Sequence, residues 1–304
     1  MTSKPIDWIA VLALCIAMLV WGSSFTAFKT AIETMGPMNV IFWRMTVASL
    51  VFLYFVKSFF SLKISAKEWK YIAMMVLFEP CLYFLFELHA LQYTSAGQAG
   101  MITSMMPLMT AFAAGIFLKE VVSKQVITGS VIAVSGAVWL SFSSSDSSHA
   151  SNPLLGNALE FGAMVCAAGY TIAVRYLSQK FSVIFLLALQ SFAGMLFFLP
   201  FAWWEYRTTP FAFSMEAALW VIYQGVIVTI GGYGMYNFAL GRMEASKAAI
   251  YINLIPIFAV VLAYLIRGEV LTLVGIIASM VILTGVFISQ ISREKLKLLW
   301  TGRL

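Results

Sequence analysis

The sequence predicts an all-α integral membrane protein, with ten transmembrane helices arranged as two inverted five-helix repeats. Three observations predict it. Of 304 residues, 62% are hydrophobic and 11% charged, where soluble domains carry about 25% charged residues. The apolar residues fall into blocks close to the ~20 residues that take a helix across ~30 Å of hydrocarbon. The second half of the chain also repeats the first at a shift of 149 residues.

The blocks lie at 7–29, 37–57, 70–91, 96–118, 124–142, 154–175, 182–204, 217–240, 246–266 and 271–291. Barrel strands would alternate apolar and polar residues over about ten positions, and none of these blocks does. The first follows Lys4 and runs to Phe28 with no small-residue cleavage site, so it reads as a retained helix. The second holds Arg44 in "FWRMTVASL", and the third holds Glu79, Pro80 and Glu87 in "LFEPCLYFLFELHA". Lys119-Glu120 separates the fourth block from the fifth, and Arg267-Gly268-Glu269 separates the ninth from the tenth. The acids of these two turns are expected to cap the helices that follow. "SFSSSDSSHASNP" joins the halves, giving units 1–145 and 150–292 and a basic tail at 293–304. The gaps at 57–70, 143–153 and 204–217 have no room for a soluble domain. Cys15, Cys81 and Cys166 all lie inside blocks and read as small core residues, with no disulfide or metal spacing.

Charge sets the orientation. With the N-terminus inside, the inside segments carry Lys4; Lys57, Lys63, Lys67 and Lys70; Lys119 and Lys124; Arg175 and Lys180; Arg242 and Lys247; and Arg293, Lys295, Lys297 and Arg303. The outside loops carry Lys29, Arg207 and Arg267. Both termini are therefore expected on the inside, the cytoplasmic face. The net charge of +6 then reflects topology and anionic headgroups and gives no ground for a nucleic-acid partner. Trp8, Trp43, Trp69, Trp139, Trp203, Trp204 and Trp220 sit near block ends, at headgroup level. Trp21 lies well inside the first block.

The repeat aligns "ALQYTSAGQAGMITSMMPLMTAFAAGIFLKEV" (90–121) with "ALGRMEASKAAIYINLIPIFAVVLAYLIRGEV" (239–270) without a gap, and Ser130/Ser279 and Gly136/Gly285 keep the register. A unit of five crossings is odd, so its copy must sit upside down. Inverted units are a common build of secondary transporters, with the solute site at the unit interface near the midplane.

"WGSSFTAFK", "FWRMTVASL" and the two long repeat segments resemble the EamA family of the drug/metabolite transporter superfamily, over essentially the whole chain. The resemblance implies a ten-helix inner-membrane carrier with a central cavity lined by helices 1, 3, 4, 6, 8 and 9. It implies export of amino acids or related small metabolites, with drugs or nucleotide-linked metabolites as the alternative cargo. The chain departs from the family pattern at Glu79 and Glu87, where neutral residues are expected.

Ionisable groups inside a membrane cost about 2.5–3.5 kcal/mol or more and are functional candidates by default. Glu79, near the midplane beside the helix-breaking Pro80, is the candidate for a proton-coupling site or for a ligand of a solute ammonium. The competing reading is a protonated acid bonded to a neighbouring helix. Glu87 lies at the depth of Arg44, and the two are the candidate structural ion pair. Trp21, Ser24, Glu79, Tyr83, Gln98, Met101, Ser104, Tyr233, Tyr236, Asn237, Tyr251 and Asn253 are the candidate solute-binding residues, with ordinary helix packing as the competing reading. Gly231, Gly232 and Gly234 allow close packing or a break in the eighth helix. Neither a cofactor nor a metal is expected. An integral membrane acyl or glycosyl transferase is the alternative from another class, and it lacks a catalytic constellation: His89 and His149 are far apart and no Cys/His cluster exists.

Overall fold

The structure, a computed structural model, describes residues 7–59, 62–118, 124–143, 150–209, 214–240, 242 and 251–290. Lys4, Lys119, Glu120, His149, Lys247 and the tail 293–304 lie outside the described residues. Among the described residues the regular structure is helical, with no β-strand. In order the helices are α1 (Trp8–Met35), α2 (Pro37–Phe55), α3 (Ala66–Tyr93), α4a (Ala96–Thr103), α4b (Met106–Leu118), α5 (Lys124–Ser143), α6 (Pro153–Leu177), α7 (Val183–Thr208), α8 (Met215–Ala239), α9 (Ile255–Arg267) and α10 (Leu273–Gln290). Six of them, α1, α2, α3, α6, α7 and α8, are long and apolar enough to cross a membrane.

Polar side chains mark where the helices begin. Asp7 accepts from the N–H groups of Ile9 and Ala10 at 3.1 Å each, satisfying donors the first turn leaves free. The Ala10 N–H leads in holding the Asp7 carboxyl below the usual carboxylate range. Ser65 and Glu68 form a reciprocal capping box at the start of α3. At Gly36 (φ 78°) the chain turns from α1 into α2, and Glu205 of α7 accepts from the backbone and side-chain nitrogens of Asn39 at 2.8 Å.

Ion pairs hold both ends of the bundle. At one end Lys180 meets Glu68 at 2.6 Å and Arg242 meets Asp7 at 3.2 Å. At the other, Lys29 folds into the bundle and donates to the carbonyls of Leu91 and Thr94 at 2.6 Å each, closing the C-terminus of α3. There Arg267 also pairs with Glu33 (2.5 Å) and Glu269 (3.0 Å). Glu269 does not cap α10, as the sequence leads one to expect. Its second oxygen accepts from Gly97 N at 3.2 Å, at the start of α4a, while Thr272 takes the α10 cap at 3.0 Å. The left-handed Gly268 (φ 67°) turns the chain back, which aims Glu269 at the neighbouring helix.

The α5–α10 seam is reciprocal. A Cβ on Gly136 would meet Ile282 N at 2.8 Å and Ala278 O at 3.0 Å, and one on Gly285 would run into Ala133 N and Gly129 O. Gly136/Gly285, Ala133/Ile282 and Gly129/Ala278 are each 149 apart, so each helix presents to its mate the positions its mate presents to it. Such exchange of contacts is what two-fold packing produces. A Cβ on Gly232 would meet Trp21 Nε1 at 2.9 Å, whereas one on Gly231 or Gly234 would meet nothing within 4 Å, so these two are not close-packing positions.

Gly285→Ala forces a methyl group into backbone that cannot yield, and overpacking of this kind costs about 1–3 kcal/mol. The thermal midpoint in detergent, followed by tryptophan fluorescence, should fall for Gly285→Ala and hold for Gly234→Ala. Equal midpoints would reject the reading of the seam.

Candidate functional site

Two helices leave α geometry at corresponding places. α3 is π-helical over Leu77–Leu82 and α8 over Gln224–Gly232. In α3 the cause is local. Pro80 has no N–H to donate, and a residue before proline is pushed from the α region. Glu79 accordingly has φ −147° and ψ 118° inside the helix. In α8 no proline acts; Gly225 lets the backbone of α2 approach, and Gly232 admits Trp21. Wide turns of this kind concentrate at functional sites.

Between these segments lies a cavity of about 60 Å³. Trp21, Ser24 and Phe25 reach it from α1, Arg44 from α2, and Glu79, Tyr83, Phe84 and Glu87 from α3. Thr103 and Met106 line it from the two parts of the fourth segment, Met164, Ala167 and Tyr170 from α6, Val228, Tyr233 and Tyr236 from α8, and Ile255 from α9. These are the helices the family resemblance implies, with α2 added through Arg44.

The wall has a polar side and an aromatic side. Tyr233 donates its hydroxyl to Glu79 Oε1, and Gln190 reaches the Glu79 carbonyl at 3.3 Å. Tyr83 donates to Glu87 Oε1 at 2.8 Å. The Trp21 ring lies 4.9 Å from both Tyr233 and Tyr236, within the range of favourable aromatic pairs. Arg44, only 1% exposed, donates from Nε to Thr229 Oγ1 at 2.9 Å. Its guanidinium sits 4.5 Å over Phe84 and 5.0 Å over Phe28, where ring faces stabilise a desolvated cation. The expected Arg44–Glu87 pair does not come within ion-pair distance, though the two charges still interact electrostatically; the rings and Thr229 hold the arginine. Among the described residues Arg44 makes its one side-chain hydrogen bond through Nε, and the residue belongs to the cavity wall.

Of the sequence's candidates, Trp21, Ser24, Glu79, Tyr83, Tyr233 and Tyr236 come together on this wall, as do Arg44 and Glu87. Six do not. Gln98 accepts from Thr94 (3.2 Å) and Asn157 (3.1 Å), tying α4a to α6 toward the Lys29 end. Ser104 bonds to Met101 O at 2.7 Å where the fourth segment breaks into α4a and α4b. That break turns Met101 toward Ala137, Leu140, Ala278 and Ile282 and leaves Thr103 and Met106 on the wall. Asn237 is buried one residue round the helix from Tyr236. Tyr251 packs on the main core, and Asn253 lies in the turn entering α9. Sequence reasoning also passed over Glu160 on α6, which is fully buried. Its signal was plain: a third acid inside an apolar block.

The EamA-like transporter family model matches the chain twice, over residues 8–142 and 154–290. A Bacillus subtilis (strain 168) protein described as an uncharacterized transporter, YetK, is 26% identical over 94% of this chain and 88% of its own. A protein of Streptantibioticus cattleyicolor described as a probable terminal-alkyne amino-acid exporter is 24% identical, covering 88% of this chain and 89% of its own. A solved crystal structure superposes with a TM-score of 0.62 over 92% of this chain and 96% of that one, at 16% identity, so the two share a fold. With its long apolar helices, the chain is a multi-pass membrane protein, and it belongs to the EamA-like transporter family.

Proposed function

We propose that this protein is a secondary carrier that exports amino acids or closely related small metabolites across the inner (plasma) membrane by alternating access. Its ten membrane-spanning helices form two inverted units, 1–145 and 150–292, with both termini and the tail 293–304 cytoplasmic. The observation that carries the reading is the cavity, where an arginine bound to the protein through Nε, two acids and an aromatic wall converge in mid-bundle.

A zwitterion fits those groups. Arg44 receives the carboxylate through its planar fork of donors. Glu79, oriented by Tyr233, receives the ammonium, and Trp21 and Tyr236 pack on the apolar part of the solute. Rocking one unit against the other exposes the cavity at the Lys29 end or the Lys180 end in turn. The reciprocal α5–α10 seam, the matched π-segments of α3 and α8, and the paired family matches support the inverted arrangement. The charge distribution supports the orientation, and the relative named as an amino-acid exporter supports the cargo.

Counterflow in proteoliposomes with a radiolabelled mixture of the standard amino acids tests the reading; no movement of any of them would sink it. Arg44→Lys keeps the charge but loses the fork. Charged hydrogen bonds are worth about 1.5–3 kcal/mol, so KM should rise roughly ten- to a hundredfold. An unchanged KM would exclude Arg44 from carboxylate binding.

Glu79→Gln should raise KM for amino acids by a similar factor. It should leave weak inhibition by a des-amino analogue unaltered, because that analogue has no ammonium to lose. Equal loss for both compounds would make Glu79 a structural residue.

A further inference from the structure

We propose that Glu87 and Glu160 form a proton-binding pair on the α3–α6 seam, and that its proton is the ion exchanged for solute. The exchange rests on the carrier reading above; the pair itself does not.

Helix register brings the two acids to one level. A Cβ on Gly156 would touch Thr94 and Ala90 O, one on Gly162 would meet Phe86 at 3.3 Å, and one on Gly169 would meet Phe78 at 2.8 Å. α3 and α6 therefore run antiparallel in close contact, which sets Glu160 opposite the turn that carries Glu87. The two carboxyl groups interact electrostatically. Both are buried, at 2% and 0% exposure. Glu87 Oε2 and both oxygens of Glu160 lack a protein partner.

No cation forms an ion pair with either acid among the described residues. The ionisable groups facing the pair are Tyr83 and Glu79 of α3 and Arg44 of α2, with Tyr233 of α8 next to Tyr83 and Glu79. Arg44 is the one cation among them, and it is held by Thr229 and two rings. Arg44 is one positive charge facing three buried acids, Glu79, Glu87 and Glu160, and it cannot balance two ionised carboxylates of the pair in an apolar interior. The pair therefore holds at least one proton.

Glu87, Tyr83 and Thr103 line the cavity, with Glu160 behind them. An ammonium entering the cavity stabilises the ionised pair, so the carboxylic acid releases its proton to the side then open. When the solute leaves, a carboxylate takes a proton from the opposite side. Glu79, the sequence's candidate for this role, is instead committed to Tyr233 and the solute.

The test is infrared spectroscopy of the purified protein in phosphatidylethanolamine–phosphatidylglycerol liposomes, titrating the carboxylic-acid C=O band with pH. A buried-acid band should titrate in the wild type, disappear or shift in both Glu160→Gln and Glu87→Gln, and persist in Glu79→Gln. A band unaffected by the first two substitutions would overturn the site. In the same liposomes an imposed pH gradient should drive net amino-acid export at least tenfold above the ungraded rate, and Glu160→Gln should abolish that response. Counterflow in the wild type that ignores the gradient would overturn the coupling and leave the carrier standing. Absence of counterflow would overturn the exchange role through the carrier reading itself, while the infrared result still decides the pair.

Discussion

A helix in hydrocarbon that loses a backbone hydrogen bond must have the loss made good from within the protein. Pro80 imposes that loss on α3, and much of the interior is arranged around it. Gln190 reaches the carbonyl of Glu79, and Tyr233 holds its carboxyl. The partner of the broken turn is the widened segment of α8, which brings Tyr233 and Tyr236 against Trp21. The cavity is the space that two irregular helices leave where regular ones would interlock.

The same economy governs the charges. Arg44 is held without a carboxylate partner, between two ring faces and a threonine, which leaves its terminal donors for something that enters the cavity. Toward the Lys29 end, by contrast, charges are spent on the protein itself. Lys29 closes α3, Glu269 opens α4a, and Arg267 links α9 to α1 through Glu33. Helix termini there are pinned by side chains from other helices, so a change in tilt at that end requires these contacts to part together.

Much of this was legible in the residues, and where it was not the reason is physical. The apolar blocks anticipate the helices because length and hydropathy decide membrane crossing. α1 nonetheless runs to Met35, six residues past its block, because Lys29 turns inward to a helix terminus and does not mark a loop. Trp21 stood out as a tryptophan away from the headgroups, and it is the one on the cavity wall. Tyr83, Tyr233 and Tyr236 followed from their place on the two corresponding helices. Met101 and Ser104 did not reach the wall because the fourth segment breaks at Ser104, and counting along a continuous helix puts the wrong face inward. Arg44 and Glu87 share a depth, as their positions imply, but depth does not choose between a carboxylate and two aromatic rings. Glu160 could have been found as a third acid inside an apolar block, but its place beside Glu87 required knowing that α6 packs on α3, a relation between helices that no local pattern carries.

The central claim is that one cavity opens in turn to each side of the membrane. Its most direct measurement is thiol labelling of a single cysteine at Met106, on the cavity wall, in a chain with Cys15, Cys81 and Cys166 replaced by alanine. Membrane-impermeant reagents are applied to right-side-out and to inverted vesicles. The account predicts labelling from both sides, with amino acid slowing it from each. Labelling from one face alone under every condition would contradict alternating access.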